Sequence, residues 1–318
     1  MGKEAEAGLG SESLREEDPG RQAEQFQDGR GQSPLLSGRT PLFEAQNSAR
    51  YTRQALVRRY QDLTGANLIA FSDNIYADGI VMLEDLLFDC RGDKPLHVLI
   101  SSPGGDGETA IRMVRLMHAH CSELTMIVPD MAKSAATILC LGANRIIMGP
   151  AGDLGPIDPQ MVLGGKGMAS AKEIVAAVDE AERRVNDNPN SFPLFSSLLS
   201  DVNMLMVEQA RSALNRSESL MREALSSLPG RSAEDTDKLA CLLKAPLIDD
   251  PSSHSAVISA DDAIGFGLPV EKADTSSEEW RILWALWTHY YALGCFPAGR
   301  TSVYEGLRAS NVMRPQNV

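Results

Sequence analysis

Short apolar segments alternate with amphipathic ones between residues 67 and 148, and few folds accommodate that order. The predicted strands are NLIAFS (67–72), LHVLIS (96–101), LTMIV (124–128) and RIIM (145–148). The predicted helices between them span 78–90, 108–120 and 134–143. Buried strands joined by helical crossovers pair in parallel, with right-handed connections. The pattern therefore predicts an α/β fold built on a parallel sheet.

The segments outside this alternation have different compositions. Residues 1–45 carry few apolar side chains. Such a segment cannot bury enough apolar surface to offset the conformational entropy lost on ordering, so it is predicted to form a disordered tail. After the fourth strand, a helix is predicted at 170–185, where Ser170 and Glu173 form a capping box. Further elements are predicted at 201–227 (helix) and 256–271 (strand, helix and exit).

An aromatic segment near the C-terminus, SSEEWRILWALWTHYYALG, is predicted to be a helix. Helical spacing places Trp280, Trp284, Trp287 and Tyr291 on one face. We interpret that stripe as core or subunit interface. A membrane-surface helix is the less favoured alternative, because the polar face is not basic.

Charge and cysteine content exclude several functions. Proteins that bind nucleic acid neutralise its phosphates with lysine and arginine side chains. The net charge of -13 therefore argues against such binding. The five cysteines lack metal-ligand spacing, so free thiols and no metal or cofactor are expected. The N-terminus lacks an apolar signal region, and no stretch is long and apolar enough to span a bilayer. We expect a cytoplasmic protein without a transmembrane segment, with peripheral membrane association left open.

Two turns rich in small residues follow neighbouring strands. SSPGGDG follows strand 96–101, and PDMAKSAA follows strand 124–128. Because parallel strands end at one edge of a sheet, Gly104 and Ser134 are expected to meet there. A serine at that helix start is either a cap or a nucleophile, and glycines allow backbone N–H groups to approach a ligand.

Four motifs in order carry a family resemblance: ISSPGGDGETAIRMVRLM, AKSAATILCLGANRIIMGP, DLGPIDPQ and ISADDAIGFGLPVE. Over about residues 55–273 the chain resembles the serine dehydrogenase proteinase family, relatives of signal peptide peptidase A and of the Clp proteolytic subunit. The resemblance implies a ClpP/crotonase-like fold of stacked parallel β-sheets flanked by helices, with C-terminal accessory helices. It divides the chain into the tail, a peptidase domain at 46–273, and an aromatic helix and tail at 274–318.

The resemblance also implies site residues. Ser134 matches the nucleophile, and the N–H groups of Gly104 and Ala135 match the oxyanion donors. Gly105, Asp106 and Gly107 match the edge that pairs with an extended peptide. Asp158 is expected beside the substrate, as a hydrogen-bond acceptor that fixes the loop.

The general base is less well defined. The positions of the Clp subunit's histidine and aspartate fall here at Ile157 or Asp158 and at about Ser253, so that triad is not retained. Signal peptide peptidases use a lysine about forty residues after the serine, and Lys172 fits. A helix N-terminus disfavours the charged form of such a lysine. Lys133 should point elsewhere, Lys166 lies in a glycine-rich turn, and His254 is the alternative base.

We therefore expect a serine endopeptidase that acts on peptide or protein substrates. The reaction would pass through an acyl-enzyme on Ser134, with Ser134 and Lys172 as a Ser/Lys dyad. Two alternatives stay open, namely an inactive peptide-binding scaffold and a crotonase-type acyl-CoA enzyme. The accessory helices suggest a homo-oligomer.

Overall fold

A computed structural model describes residues 40–162, 167–251 and 253–315. The chain divides into two compact units, 1–47 and 48–318. Most of the segment predicted to be a disordered tail, residues 1–39, lies outside the described residues. A helix begins at Pro41, inside that segment, and the sequence analysis did not predict it.

The helices of the described residues include all those that the sequence predicts. They are α1 (Pro41–Thr64), α2 (Asp78–Leu87), α3 (Gly107–His118), α4 (Ala135–Leu141), α5 (Ala171–Asp187), α6 (Phe192–Leu198), α7 (Met204–Ser226), α8 (Ala233–Lys244), α9 (Ala260–Gly265) and α10 (Glu278–Ala292). None of them, within that part of the chain, has the length and apolar composition of a membrane-spanning helix.

Within the described ranges, the strands form one large sheet and two small ones. They are β1 (Asn67–Ser72), β2 (Leu96–Ser101), β3 (Leu124–Val128), β4 (Met131–Ala132), β5 (Arg145–Met148), β6 (Asp153–Leu154), β7 (Gln160–Val162), β8 (Met168–Ser170), β9 (Val270–Lys272), β10 (Ser302–Glu305) and β11 (Ser310–Met313). The large sheet has the order β11-β10-β1-β2-β3-β5-β9. Its strands from β1 to β9 are parallel, whereas β10 and β11 are antiparallel. The α/β fold with a parallel sheet is confirmed, and β1, β2, β3 and β5 have the predicted bounds.

Helices cover both faces of the sheet, which explains why its strands are apolar along their whole length. Ile69 and Phe71 of β1 face the larger core, which α2, α3 and α4 help to form. Leu68 and Ala70 of the same strand face a second core, to which α1 and α10 contribute.

The aromatic helix α10 differs from the predicted single stripe. Trp280 and Trp287 are buried, but Trp284 is 46% exposed and Tyr291 is 53% exposed. The buried face of α10 also includes Leu283 and Tyr290. The face that meets the sheet is therefore rotated about the helix axis relative to the expected aromatic stripe. The interpretation of the stripe as core therefore holds for Trp280 and Trp287 only, and the subunit-interface alternative stays a prediction for Trp284 and Tyr291.

The segment expected to be a tail after α10 contains two strands. Strand β10 pairs with β1, so that Ala70 lies opposite Glu305, and β11 extends the sheet by one more strand. The domain boundary at residue 273 stays a prediction, but residues beyond it complete the sheet.

Candidate active site

The turns that follow β2 and β3 are in close contact. A Cβ atom built on Gly104 would lie 2.8 Å from both the Ser134 Cβ atom and the Lys133 carbonyl oxygen. Gly104 has a φ of 109°, which glycine adopts without strain. The two turns are joined by backbone hydrogen bonds, since Lys133 N–H donates to the Ser102 carbonyl at 3.0 Å. The structure thus brings Gly104 and Ser134 together.

Ser134 has an unusual backbone conformation. Its φ is 51° and its ψ is -115°, and it alone among the described non-glycine residues has a positive φ. Such strain costs on the order of 1–3 kcal/mol and persists only where the surroundings enforce it. The following helix α4 is buried at every residue, which supplies that constraint. The Ser134 hydroxyl makes no capping hydrogen bond, so it does not act as a helix cap.

A cavity of about 230 Å³ opens in front of this serine. It is lined by Gly105–Glu108, by Ser134 with Ala135 and Ile138, by Ile157–Pro159, and by one face of α7. Ser134, Ala135, Asp158 and the 105–107 segment therefore surround one space, whereas Gly104 and Lys172 are not among its lining residues.

The N–H groups near Ser134 differ in availability. The Gly104 N–H donates to the Ser102 hydroxyl at 3.2 Å. Among the described residues, nothing accepts a hydrogen bond from the Gly105 N–H, and Gly105 lines the cavity. Ala135 is the first residue of α4, and its N–H therefore has no acceptor within the helix. Gly105 is in these respects a better oxyanion donor than the expected Gly104.

The expected substrate edge is partly occupied by the chain itself. Ile75 forms a parallel bridge with Gly105, and it donates to Gly104 and accepts from Asp106. The Asp106 side chain caps α3 by accepting from Thr109 N–H at 2.7 Å. Of the three expected residues, Asp106 alone has its N–H bonded, to the Ile75 carbonyl, whereas the N–H groups of Gly105 and of Gly107, the first residue of α3, have no acceptor among the described residues.

Asp158 is a buried acid, 4% exposed, in the wall of this cavity. Its carboxylate accepts from the Ser170 hydroxyl at 2.8 Å and from the Gln160 amide at 3.4 Å. Burial raises the pKa of Asp158, while the Ser170 hydrogen bond and the charges of His254 and Lys172 act in the opposite direction. The loop-fixing contacts expected of Asp158 are therefore present.

Lys172 lies in the first turn of α5, where the predicted capping box of Ser170 and Glu173 is confirmed. Its Nζ donates to the carbonyl oxygens of Asp249, at 3.1 Å, and of Pro251. The ammonium group is thus held by the 249–251 segment and is not among the groups that line the cavity.

The other candidate bases are also constrained. Lys133 points away from the cavity, as predicted, because its Nζ donates to the Asp153 carboxylate at 2.6 Å. Lys166 lies outside the described residues. The Nδ1 atom of His254 is buried and has no hydrogen-bond partner among the described residues. Within those residues, no group of His, Cys, Asp and Glu side chains is arranged to hold a metal ion.

The sequence analysis did not place α7 at the site. Ala213, Ser217 and Leu220 of α7 line the cavity, and Arg216 binds Glu108 through two hydrogen bonds of 2.6 Å. Glu108 and Arg216 are 108 residues apart. Glu108 lies in the first of the four quoted motifs but Arg216 lies in none of them, so nothing in the sequence alone indicated this pair.

Two known proteins are similar in sequence to part of this chain. An uncharacterized protein of Methanocaldococcus jannaschii is 28% identical over 180 residues, which are 56% of this chain and 54% of that protein. A second uncharacterized protein of that organism is 26% identical over 133 residues, which are 42% of this chain and 39% of that protein. The chain therefore spans about half the length of the first relative and less of the second.

Among solved structures, a serine-to-alanine mutant of the 1510-N membrane-bound stomatin-specific protease aligns with 65% of this chain and 77% of that chain. The sequence identity is 13% and the TM-score is 0.41. The family model of the ClpP-like SDH-type serine proteinases matches residues 60–225, just over half of the 318 residues. The matched segment includes both turns, the cavity and most of α7, and the chain belongs to this family of ClpP-like serine proteinases.

Proposed function

We propose that this protein is a serine endopeptidase that cleaves peptide bonds of peptide or protein substrates through an acyl-enzyme on Ser134. The observation that carries the proposal concerns Ser134. This residue precedes a buried helix in a strained backbone conformation and lines a cavity, and its hydroxyl makes no capping hydrogen bond. Membership of a serine proteinase family supports it. The chain offers a hydroxyl, two backbone donors and a pocket, which are the parts that acyl transfer requires.

The reaction has two stages. The Ser134 oxygen attacks the carbonyl carbon of the substrate, and its proton passes to the general base and then to the leaving amine. The negative charge on the former carbonyl oxygen is stabilised by the N–H groups of Gly105 and Ala135. Water then attacks the Ser134 ester, which releases the acid product and restores the hydroxyl. Gly104 contributes by letting the two turns approach each other.

Lys172 is the proposed base, which completes a Ser/Lys dyad. Its position at the start of α5 agrees with the spacing of such dyads. In the structure described here, however, its Nζ donates to two carbonyl oxygens. Catalysis therefore requires the 249–251 segment to release or turn this amine toward Ser134. His254 is the alternative, because its unpartnered Nδ1 is on the segment next to Asp249–Pro251.

Active-site labelling tests the proposal directly. A fluorophosphonate should add one adduct to the wild-type protein, seen by intact mass, and none to Ser134→Ala. Ser217→Ala is the matched control, because Ser217 lines the same cavity from α7 and should not affect labelling. Undiminished labelling of Ser134→Ala would refute the assignment. An absence of labelling in every variant would favour the inactive scaffold or the acyl-CoA enzyme.

We also propose that the protein is a homo-oligomer. Large apolar side chains are exposed on and beside α6, and further aromatic ones on α10: Phe192, Leu194, Leu198, Met204, Leu205, Trp284 and Tyr291. Exposed apolar patches of this kind mark interaction surfaces. Light scattering should give a mass above that of one chain, which Leu194→Ser with Leu198→Ser should lower. A monomeric wild-type protein at micromolar concentration would contradict the proposal.

A further inference from the structure

A second cavity lies on the other face of the large sheet from the cavity beside Ser134. Its volume is about 660 Å³, nearly three times that of the cavity beside Ser134. His97 at the start of β2 and Arg145 at the start of β5 are among the sheet residues that line it. Helix α1 contributes one wall and α10 the other, so the two helices flank a space that opens onto the sheet.

The His97 ring is a neutral hydrogen-bonding group. Burial lowers the pKa of His97 to about 4, and the positive charge of Arg145 acts in the same direction. The Tyr60 hydroxyl and the His97 Nδ1 atom are 2.7 Å apart. Burial also raises the pKa of Tyr60, so the phenol keeps its proton and can donate it to Nδ1. With Nδ1 as the acceptor, the ring proton resides on Nε2 and makes that atom a donor.

Arg145 supplies a second donor. One of its terminal nitrogens binds the Glu271 carboxylate at 2.7 Å. Its Nε atom is buried and has no hydrogen-bond partner within the described part of the chain. The Arg145 side chain is 40% exposed and a guanidinium carries five N–H donors, so it keeps donors that a ligand in the cavity can use. Arg145 and His97 line the same cavity, and a carboxylate could accept from both.

The remaining lining of the cavity includes buried apolar side chains and exposed acidic ones. Trp280 and Leu283 of α10 are buried and line it. Glu123 and Glu279 line it too but are exposed, which places their carboxylates toward solvent. Lys272 does not offset these charges, because its ammonium group is paired with Asp261 at 2.7 Å. A purely anionic ligand would therefore meet repulsion on its way in.

We propose that this cavity binds a zwitterionic apolar ligand, either a free amino acid or a short peptide. Its carboxylate accepts from Arg145 and His97, its apolar side chain packs against Trp280 and Leu283, and its ammonium group lies near Glu123 and Glu279. The volume falls within the range of about 300–1,000 Å³ that is typical of small-molecule sites. The site is separate from the proposed peptidase centre and does not depend on it.

Calorimetry with the dipeptide leucyl-phenylalanine as the probe tests this site. The Ser134→Ala protein is used in every arm, so that hydrolysis does not interfere and the result is independent of the proposed function. The dipeptide should bind, and its C-terminal amide and its N-acetyl form should each bind at least about tenfold more weakly, because each lacks one charge-assisted interaction. L-Phenylalanine in a parallel arm shows whether a single amino acid is sufficient.

Two variants locate the binding. Arg145→Gln should weaken dipeptide binding by at least about tenfold, because it removes the guanidinium donor that the ligand carboxylate binds. Lys272→Gln is the matched control, since it removes a cation from the same cavity that is already paired, and it should change affinity by less than about twofold. If Arg145→Gln does not fold, the proposal is tested by comparing the free and the amidated dipeptide on the protein that keeps Arg145. Equal binding of the free and amidated forms, binding that survives Arg145→Gln, or no binding of any probe would overturn the proposal.

Discussion

The Arg53 guanidinium and the Glu305 carboxylate form a bidentate ion pair inside the protein, with N–O distances of 2.7 and 3.0 Å. Glu305 also accepts from the hydroxyls of Tyr290, at 2.9 Å, and Ser310, at 2.5 Å. One buried carboxylate therefore joins α1, α10 and the two antiparallel strands. This carboxylate therefore links elements that lie before and after the centre of the family segment, in addition to the apolar core that α1 and α10 share with the sheet.

Breaking that ion pair should destabilise the fold. Arg53→Met leaves the Glu305 charge buried without its partner, and the expected loss in the free energy of unfolding is about 3–5 kcal/mol. The exposed pair of Arg59 and Glu278 is the control, and Glu278→Gln should cost less than about 1 kcal/mol. Urea unfolding measures both. Equal effects of the two substitutions would contradict the buried network.

The strain at Ser134 should be visible in a comparison of two small substitutions. Alanine keeps the unfavourable positive φ, whereas glycine relieves it, so Ser134→Gly should be about 1 kcal/mol more stable than Ser134→Ala. Ser217 on α7 provides the control with the opposite sign, because glycine inside a helix is about 1 kcal/mol worse than alanine. Thermal unfolding of the four variants decides. Ser134→Gly falling below Ser134→Ala would show that the backbone is not strained.

The proposed dyad predicts which side chain the acylation step requires. Lys172→Ala and Lys172→Arg should each slow fluorophosphonate labelling of Ser134 by about a hundredfold or more, the arginine because a guanidinium stays protonated. His254→Ala should label at nearly the wild-type rate. The opposite pattern, in which His254→Ala abolishes labelling and Lys172→Ala preserves it, would make His254 the base.

The buried His97 should make stability depend on pH in a defined window. Its pKa is about 4 in the folded protein and about 6.5 in the unfolded chain, so the unfolded chain binds a proton first as the pH falls. The folded state therefore loses stability as the pH falls below about 6.5, by up to about 2 kcal/mol at pH 5. His97→Gln should lose correspondingly less between pH 7 and pH 5 in urea unfolding. An NMR titration that finds a normal His97 would contradict the shift.

The strands and the helix cap that depend only on neighbouring residues could be predicted from the sequence. The strands 67–72 and 96–101 have the expected bounds, because continuous apolar runs between polar turns define both ends. The capping box at Ser170 was equally visible, since its two residues are three apart. The approach of Gly104 to Ser134 followed from the rule that parallel strands end at one edge.

Long-range pairings could not be predicted in that way. The face of α10 that is buried depends on how the sheet meets the helix, so the spacing of Trp280 and Trp284 could not show that only Trp280 is buried. The Arg216–Glu108 pair joins residues 108 positions apart, and the local hydrogen bond from the Gly104 N–H to the Ser102 hydroxyl was not anticipated either. These contacts decide which groups face the cavity.

Helix α7 has a consequence for what can reach Ser134. It borders the cavity along Ala213, Ser217 and Leu220, and Arg216 fastens it to Glu108 at the start of α3. A space of about 230 Å³ beside such a helix has room for a side chain and its adjoining backbone, and none for a folded domain. For the proposed peptidase, this limit on access would favour extended polypeptide segments over folded domains as substrates.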